Sequence, residues 1–144
     1  MPLKISKLPI LKTFQLLEGL EVDPDAPTIT IRQATTGENR RRAELFSMAS
    51  YIINDPELGA NEIKQKINPM EIARMEAYLT LAGSTLCYDD DTPVFSFRND
   101  KLAMSETQFN AVWDSLPANV TLLISNFVRQ VNPNWAGGDV EAGE

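Results

Sequence analysis

The chain has 144 residues, no histidine and one cysteine, and its 20 acidic against 13 basic residues give a formal net charge of −7. One cysteine excludes an intramolecular disulfide, and the lack of histidine excludes Ser-His-Asp and Cys-His catalysis within this chain. The acidic balance disfavours general nucleic-acid binding, while an apolar fraction of 43% suffices for the core of one domain.

Residues 1–27 form a poorly patterned N-terminal extension. Lys7 and Pro9 interrupt its apolar residues, so it lacks the unbroken apolar core of a signal peptide. The apolar positions between Ile10 and Leu20 favour one or two helical turns that dock on the rest of the protein. No run approaches the roughly 20 apolar residues that span a bilayer. We therefore expect a cytoplasmic protein that does not bind membranes.

The main domain, residues 28–135, opens with a predicted strand. Isoleucine alternates with threonine in Thr28–Arg32, and β-branched residues at period two indicate a strand with one buried face. Thr36 is the predicted N-cap of a following helix, which ends at Asn54-Asp55-Pro56 because a residue before proline leaves the helical region. The apolar face of this helix comprises Leu45, Phe46, Ala49, Ile52 and Ile53.

The middle of the chain predicts a second helix and a second strand. Residues 57–67 are ambiguous and favour at most a short helix. Asn68 as N-cap and Pro69 at the first helical position begin the next helix, whose buried stripe comprises Ile72, Met75, Leu79, Ala82 and Leu86. The alternation in Val94–Phe97 predicts a short strand that pairs with Thr28–Arg32.

The segment Ser105–Trp135 has the clearest pattern in the chain. Ser105 and Gln108 match a capping box, Pro117 starts a second helix, and Asn132-Pro133 ends it. Its apolar stripe comprises Val120, Leu123, Ile124, Phe127, Val128 and Val131. After Trp135, the acidic tail 136–144 is expected to be disordered. Together these elements predict a mainly α fold: a small helical domain of about four helices with a short two-stranded β element at most.

The polar clusters predict neither a catalytic nor a metal site. Asp89–Asp91 are three consecutive acids, whereas calcium loops space their ligands at alternate positions, so a solvated turn is favoured. Cys87 beside these acids has no activating cation, and we interpret it as a passive, partly buried thiol. Paired carboxylates such as Glu71 and Glu76 have no supporting motif. We expect a nonenzymatic protein without cofactor or metal.

Arg40, Arg41 and Arg42 form the only dense basic run. Three successive helical residues spread around the helix rather than along one face. The run therefore fits a solvated helix surface that pairs with Glu38 or Glu44, or contact with an acidic partner protein.

Three apolar residues near the C-terminus are the other candidates for partner binding. Phe127 and Val131 lie on the amphipathic stripe, which serves either the protein's own core or an interface. Trp135 lies beyond the last helix, where it either folds back as a lid or stays available to a partner. Trp113, on the apolar face of its own helix, is interpreted as core.

Two stretches of the sequence resemble a known family. TITIRQATTGENRRRAELFS resembles the start, and KLAMSETQFNAVWDSLPANVTLLISNFVRQVNPNW the end, of tail assembly chaperones of long-tailed (siphovirus-type) bacteriophages. The shared features are a strand followed by an Arg-rich helix, then Trp-x-x-Leu-Pro, an amphipathic helix and Val-x-x-Asn-Pro-x-Trp. They cover about half of the chain.

The resemblance implies a function. Such chaperones bind the tape-measure protein, recruit tail-tube subunits during tail morphogenesis, act in the host cytoplasm and are absent from the mature virion. They are largely helical and self-associate, and many exist also as a longer product of ribosomal frameshifting. Two other functions remain open: a structural virion component (a minor tail or head–tail connector protein), and a small phage regulator that binds a host protein.

Overall fold

A computed structural model of the protein describes residues 3–5, 7–17, 23–53 and 68–135. This part of the chain contains both strands and helices, and the prediction of a mainly helical fold is wrong: the domain is mixed α/β. The elements in chain order are β1 (Leu11–Gln15), β2 (Thr28–Arg32), α1 (Thr36–Ile53), α2 (Pro69–Thr80), β3 (Leu81–Ser84), β4 (Phe97–Arg98), β5 (Lys101–Leu102), α3 (Glu106–Ser115) and α4 (Ala118–Val131).

The larger sheet has three antiparallel strands in the order β1-β2-β3. The predicted alternation of β2 is confirmed, since Ile29 and Ile31 are fully buried whereas the threonines between and before them are not. The predicted partner of β2 was wrong. Instead of Val94–Phe97, it pairs with β1, where Phe14 lies opposite Ile29, and with β3.

Both flanking strands occupy segments for which local pattern predicted helix. β1 lies within the predicted extension 1–27, so part of that extension belongs to the sheet. β3 begins at Leu81, directly where α2 ends at Thr80, although the helical stripe was predicted to continue to Leu86. In both segments the backbone hydrogen bonds are made to β2, and such long-range pairing can override a weak local preference.

A small hairpin replaces the strand predicted at Val94–Phe97. Phe97 pairs with Leu102, and Arg98 with Lys101. The two residues between the strands, Asn99 and Asp100, have positive φ angles of 53° and 61°, as a type I′ turn requires. Val94 itself is buried in the core instead of lying in a strand.

Local capping signals place the helix ends. The capping box of α3 is confirmed: Gln108 N donates to Ser105 Oγ, and Ser105 N donates to Gln108 Oε1. Asn68 caps α2 by accepting from Met70 N at 2.9 Å. The N-cap of α1 is Thr35 rather than Thr36, because Thr35 Oγ1 accepts from Glu38 N. The predicted helix end at Asn54-Asp55-Pro56, the ambiguous residues 57–67 and the tail 136–144 lie outside the described residues.

The core forms where the helices cover one face of the sheet. Helix α4 contacts both β2 and α2, and the buried side chains of these elements meet those of α3 and of the loop before β4. The members of this core are Ile29, Ile31, Ala77, Leu81, Val94, Phe95, Phe109, Trp113, Ile124, Val128 and Trp135. The prediction that Trp113 belongs to the core is confirmed.

Candidate functional site

The three arginines of the basic run lie in three different environments. Arg40 is exposed. Arg41 is also exposed, forms an ion pair with Glu106 of α3, and lies 5.9 Å from the ring centre of Tyr78. Arg42 is buried. The helix thus spreads the run around its circumference as predicted, and the ion pairs described reach other helices rather than Glu38 or Glu44.

Buried Glu76 of α2 is the centre of an ionic cluster. Its Oε2 accepts from Arg42 Nε at 2.7 Å, and its Oε1 accepts from Arg129 Nε at 3.4 Å. The carboxylate is 1% exposed, so the two guanidinium groups compensate a charge that would be costly to bury alone. The cluster joins α1, α2 and α4, which explains why Arg42 is used inside the protein.

Trp135 is buried against the start of α1. Only 1% of it is exposed, its Nε1 donates to Asn39 Oδ1 at 2.8 Å, and the Arg42 guanidinium lies 5.2 Å from its ring centre. The ring therefore folds back on the domain, which is the lid arrangement considered from the sequence. A partner could reach it only after this contact had opened.

Asn132 holds the end of α4 against the sheet. Its Oδ1 accepts from Ala34 N at 2.8 Å, and its Nδ2 lies within hydrogen-bond distance of the carbonyls of Arg32 and Val128. From the sequence, this residue is predicted only as a helix stop. Its position just after a long amphipathic helix was the available signal, but Arg32 and Ala34, its two partners outside α4, lie about 100 residues away.

Arg32 and Glu38 form a two-point ion pair between β2 and the first turn of α1. Both contacts measure 2.5 Å, and Arg32 also donates to the Leu79 carbonyl. Burial raises the pKa of Glu38, but the hydrogen bonds from Arg32 and from Thr35 outweigh it, so the pKa lies below its ordinary value. The sequence pattern does not predict this pair, which ties the end of β2 to the first turn of α1.

Phe127 and Val131 are only partly buried. Phe127 stacks on Phe14 of β1, with ring centres 4.4 Å apart and planes within 5° of parallel, and Val131 packs against the core from its edge. The stripe of α4 is thus divided: Ile124 and Val128 are fully buried, and the other members lie closer to the surface. Whether any of them binds a partner stays a prediction.

An open groove follows the outer side of α4, next to the end of β1. Its volume is about 510 Å³, and Leu122 on its wall is 64% exposed. We call it the α4 groove; the residues that line it are Leu17, Asn119, Leu122, Leu123 and Asn126. Apolar walls with a few amide groups are typical of a surface that receives apolar side chains of a partner.

A second group of exposed apolar residues directly precedes β1 in the chain. We call residues 3–5 and 7–10 the N-terminal arm. Leu3 is 89% exposed, Ile5 83%, Leu8 76% and Ile10 57%. Exposed apolar residues that cluster, rather than occur singly, mark sites of interaction.

The polar clusters have ordinary local roles. Asp90 accepts from the backbone N and the hydroxyl of Thr92, and these bonds lower the pKa of this exposed carboxyl. Cys87 is exposed rather than partly buried, which corrects the prediction from sequence. Within residues 3–5, 7–17, 23–53 and 68–135, no group of three or more Cys, Asp or Glu residues is placed to hold a metal ion.

Comparison with known proteins adds no relative. No protein-family model, curated protein or solved structure matches this chain. In the part of the chain that the structure describes, no helix is both long and apolar enough to cross a membrane.

Proposed function

We propose that the protein is a nonenzymatic tail assembly chaperone of a long-tailed bacteriophage. It would bind the tape-measure protein and recruit tail-tube subunits in the host cytoplasm, without entering the mature virion. Two stretches that resemble this family support the assignment. They include β2 with the start of α1, and the whole of α3 and α4.

The observation that carries the proposal is the α4 groove. A tape-measure protein is a long helical chain, and an amphipathic helix places apolar side chains at intervals of three and four residues. Leu122, Leu123 and Leu17 offer such a helix an apolar surface that the protein's own core does not use. Phe127 follows Leu123 by one helical turn, so it lies on the path of a helix bound along α4.

Fewer residues of the basic run are available for partner binding than the sequence indicated. Arg40 and Arg41 are exposed, and in this proposal they are the two residues of the run that would steer an acidic client. Arg42 and Trp135 are buried, and we assign them to holding α1 against the end of α4. Val131, at the partly exposed edge of α4, remains a candidate contact of the client.

Coexpression with the tape-measure protein of the same phage genome tests the proposal. We expect the chain to increase the soluble fraction of the tape-measure protein, and Leu122→Lys to remove most of that increase because a charge would enter the groove. Met70→Lys is the matched control, since Met70 is also an exposed apolar residue, 76% accessible, but lies on α2 outside the groove. It should leave the effect unchanged.

Two results would refute the proposal. Tape-measure solubility that is the same with and without the chain would exclude the chaperone function. Mass spectrometry that finds the chain in purified particles in fixed stoichiometry would favour a structural virion component instead.

A further inference from the structure

The outer edge of β1 presents unpaired backbone groups. Within the described residues β1 has a neighbouring strand on one side only. The carbonyl of Ile10 accepts from Gln33 N, and Leu16 N donates to the Pro27 carbonyl, so the even-numbered residues bond to β2. In an antiparallel ladder the alternate residues face the other way. The N–H and C=O groups of Leu11, Thr13 and Gln15 therefore point outwards.

Such an edge is a template for another strand, and proteins usually protect it. The lysine at position 12 is a weak form of protection, because its backbone groups face β2. Pairing of five residues alone is marginal in water. A stable association through this edge would therefore need additional apolar contact, which the adjoining N-terminal arm can supply.

The charge distribution favours a second copy of this chain as the partner. Three basic residues, Lys4, Lys7 and Lys12, precede the first acidic residue, Glu18, and the rest of the chain carries all 20 acidic residues against 10 basic ones. The arm, with Lys4 and Lys7 and no acidic residue, is thus basic and apolar, whereas the body is acidic. Chains with this division attract each other end to body.

We infer that two copies pair antiparallel through the outer edges of β1, and that each N-terminal arm crosses onto the body of the other copy. With a two-fold axis at Thr13, the outward N–H and C=O groups of one β1 strand face those of the other. Thr13 then lies opposite Thr13, and Leu11 lies opposite Gln15. The result is one continuous six-stranded sheet. A two-fold interface of this kind uses the same surface on both copies.

The same register brings the arm to surfaces suited to it. Beyond the paired strands, Ile10 lies opposite Leu16 of the second copy and Pro9 opposite Leu17, which lines the α4 groove. The turn that carries Asp23 and Asp25 lies at the same end of β1, since Gln15 Nε2 donates to the Asp23 carbonyl at 3.1 Å. The apolar residues of the arm would therefore enter the groove while its lysines approach that turn.

One consequence concerns the chaperone. Because the arm of the second copy and a client helix would use the same groove, pairing and client binding would compete. This consequence rests on the proposed function, whereas the pairing itself does not. The experiments below use the chain alone, so their failure leaves the chaperone assay unaffected.

A cysteine scan tests the register. In a Cys87→Ser background, Thr13→Cys places two thiols on opposite residues with Cα atoms about 5.5 Å apart, within the range that a disulfide spans. We expect oxidation to cross-link this variant into a dimer. Leu11→Cys is the control, because its position faces Gln15 and should cross-link far less. Equal cross-linking of both, or of neither, would overturn the proposed register.

Sedimentation equilibrium tests whether the N-terminal arm contributes to dimer formation. We expect the wild-type chain to dimerise, and the double variant Leu3→Ser/Ile5→Ser to raise the dimer dissociation constant at least roughly tenfold, the usual effect of truncating central interface contacts. High salt should weaken the dimer as well. Met70→Ser is the control and should have no effect. A wild-type chain that stays monomeric to about millimolar concentration, or a dimer unaffected by the double variant, would refute the inference.

Discussion

Replacing Trp135 by alanine should destabilise the protein strongly. The ring is 1% exposed and belongs to the core cluster, and truncation of a buried tryptophan typically costs 3–5 kcal/mol through lost transfer energy and the cavity left behind. The loss of the bond to Asn39 adds little, because that exposed side chain regains water. We therefore expect a loss of about 4 kcal/mol in the free energy of unfolding, which corresponds to a fall in Tm of roughly 12 °C for a chain of this size.

Urea unfolding measures this loss. Trp113 remains as an intrinsic fluorescent probe, and far-ultraviolet circular dichroism provides a second one. Trp135→Phe is an intermediate case, because it keeps part of the apolar ring while removing the N–H donor and the second ring of the indole. About 1–2 kcal/mol is expected, chiefly from the smaller buried area. Leu122→Ala is the control, since Leu122 is 64% exposed, and should change stability by less than about 0.5 kcal/mol.

The opposite result has a clear meaning. A loss below about 1 kcal/mol for Trp135→Ala would show that the ring contributes little to the core. The indole would then be available to a partner, and the reasoning that assigns Trp135 to the body of the protein would be wrong.

Three further predictions concern charge and packing. Glu76→Gln should cost about 3 kcal/mol in urea unfolding, because two guanidinium groups lose their buried counter-charge, whereas Asp114→Asn in the exposed pair with Arg74 should cost less than about 1 kcal/mol. Because the pKa of Glu38 is depressed, the ionised carboxylate stabilises the protein fully above the unfolded-state pKa of about 4.3, and this stabilisation is lost as the pH falls through the lower folded value. Glu38→Gln should therefore flatten the acid limb of the curve of stability against pH. An unchanged acid limb would refute this. Phe127→Ala should cost about 2 kcal/mol, near half the value for a fully buried ring, and a cost near zero would mean that its stacking on Phe14 is not made in solution.

Local signals were sufficient for the starts of α2 and α3 and for the end of α4. Asn68 with Pro69, Ser105 with Gln108, and Asn132 with Pro133 act within four residues of chain, so the physics that places a cap is contained in the segment itself. The alternation of Thr28–Arg32 was equally sufficient, because β-branched residues at period two match a strand with one buried face.

Local signals failed for the strands that depend on a partner. Leu11–Gln15 has a weak pattern, and its strand forms only because β2 supplies the hydrogen bonds and Ile29 and Ile31 supply an apolar face. Leu81–Ser84 continues an apparently helical stripe but pairs with β2. The pairing of two segments that lie many residues apart cannot be predicted from the residues of either segment alone. For this reason the predicted fold contained too little β-sheet.

The candidate binding surfaces likewise divide into features that the sequence determines and features that depend on tertiary contacts. By itself, the sequence determined that the chain is acidic, lacks histidine, and has an amphipathic α4 and a basic run at Arg40–Arg42. Only the tertiary structure decided that Arg42 and Trp135 are used inside the protein, and that Leu122, the N-terminal arm and the edge of β1 remain exposed. The physical reason is that the core covers each apolar or charged group only to the extent that other elements reach it, and those contacts join residues between 34 and 100 positions apart.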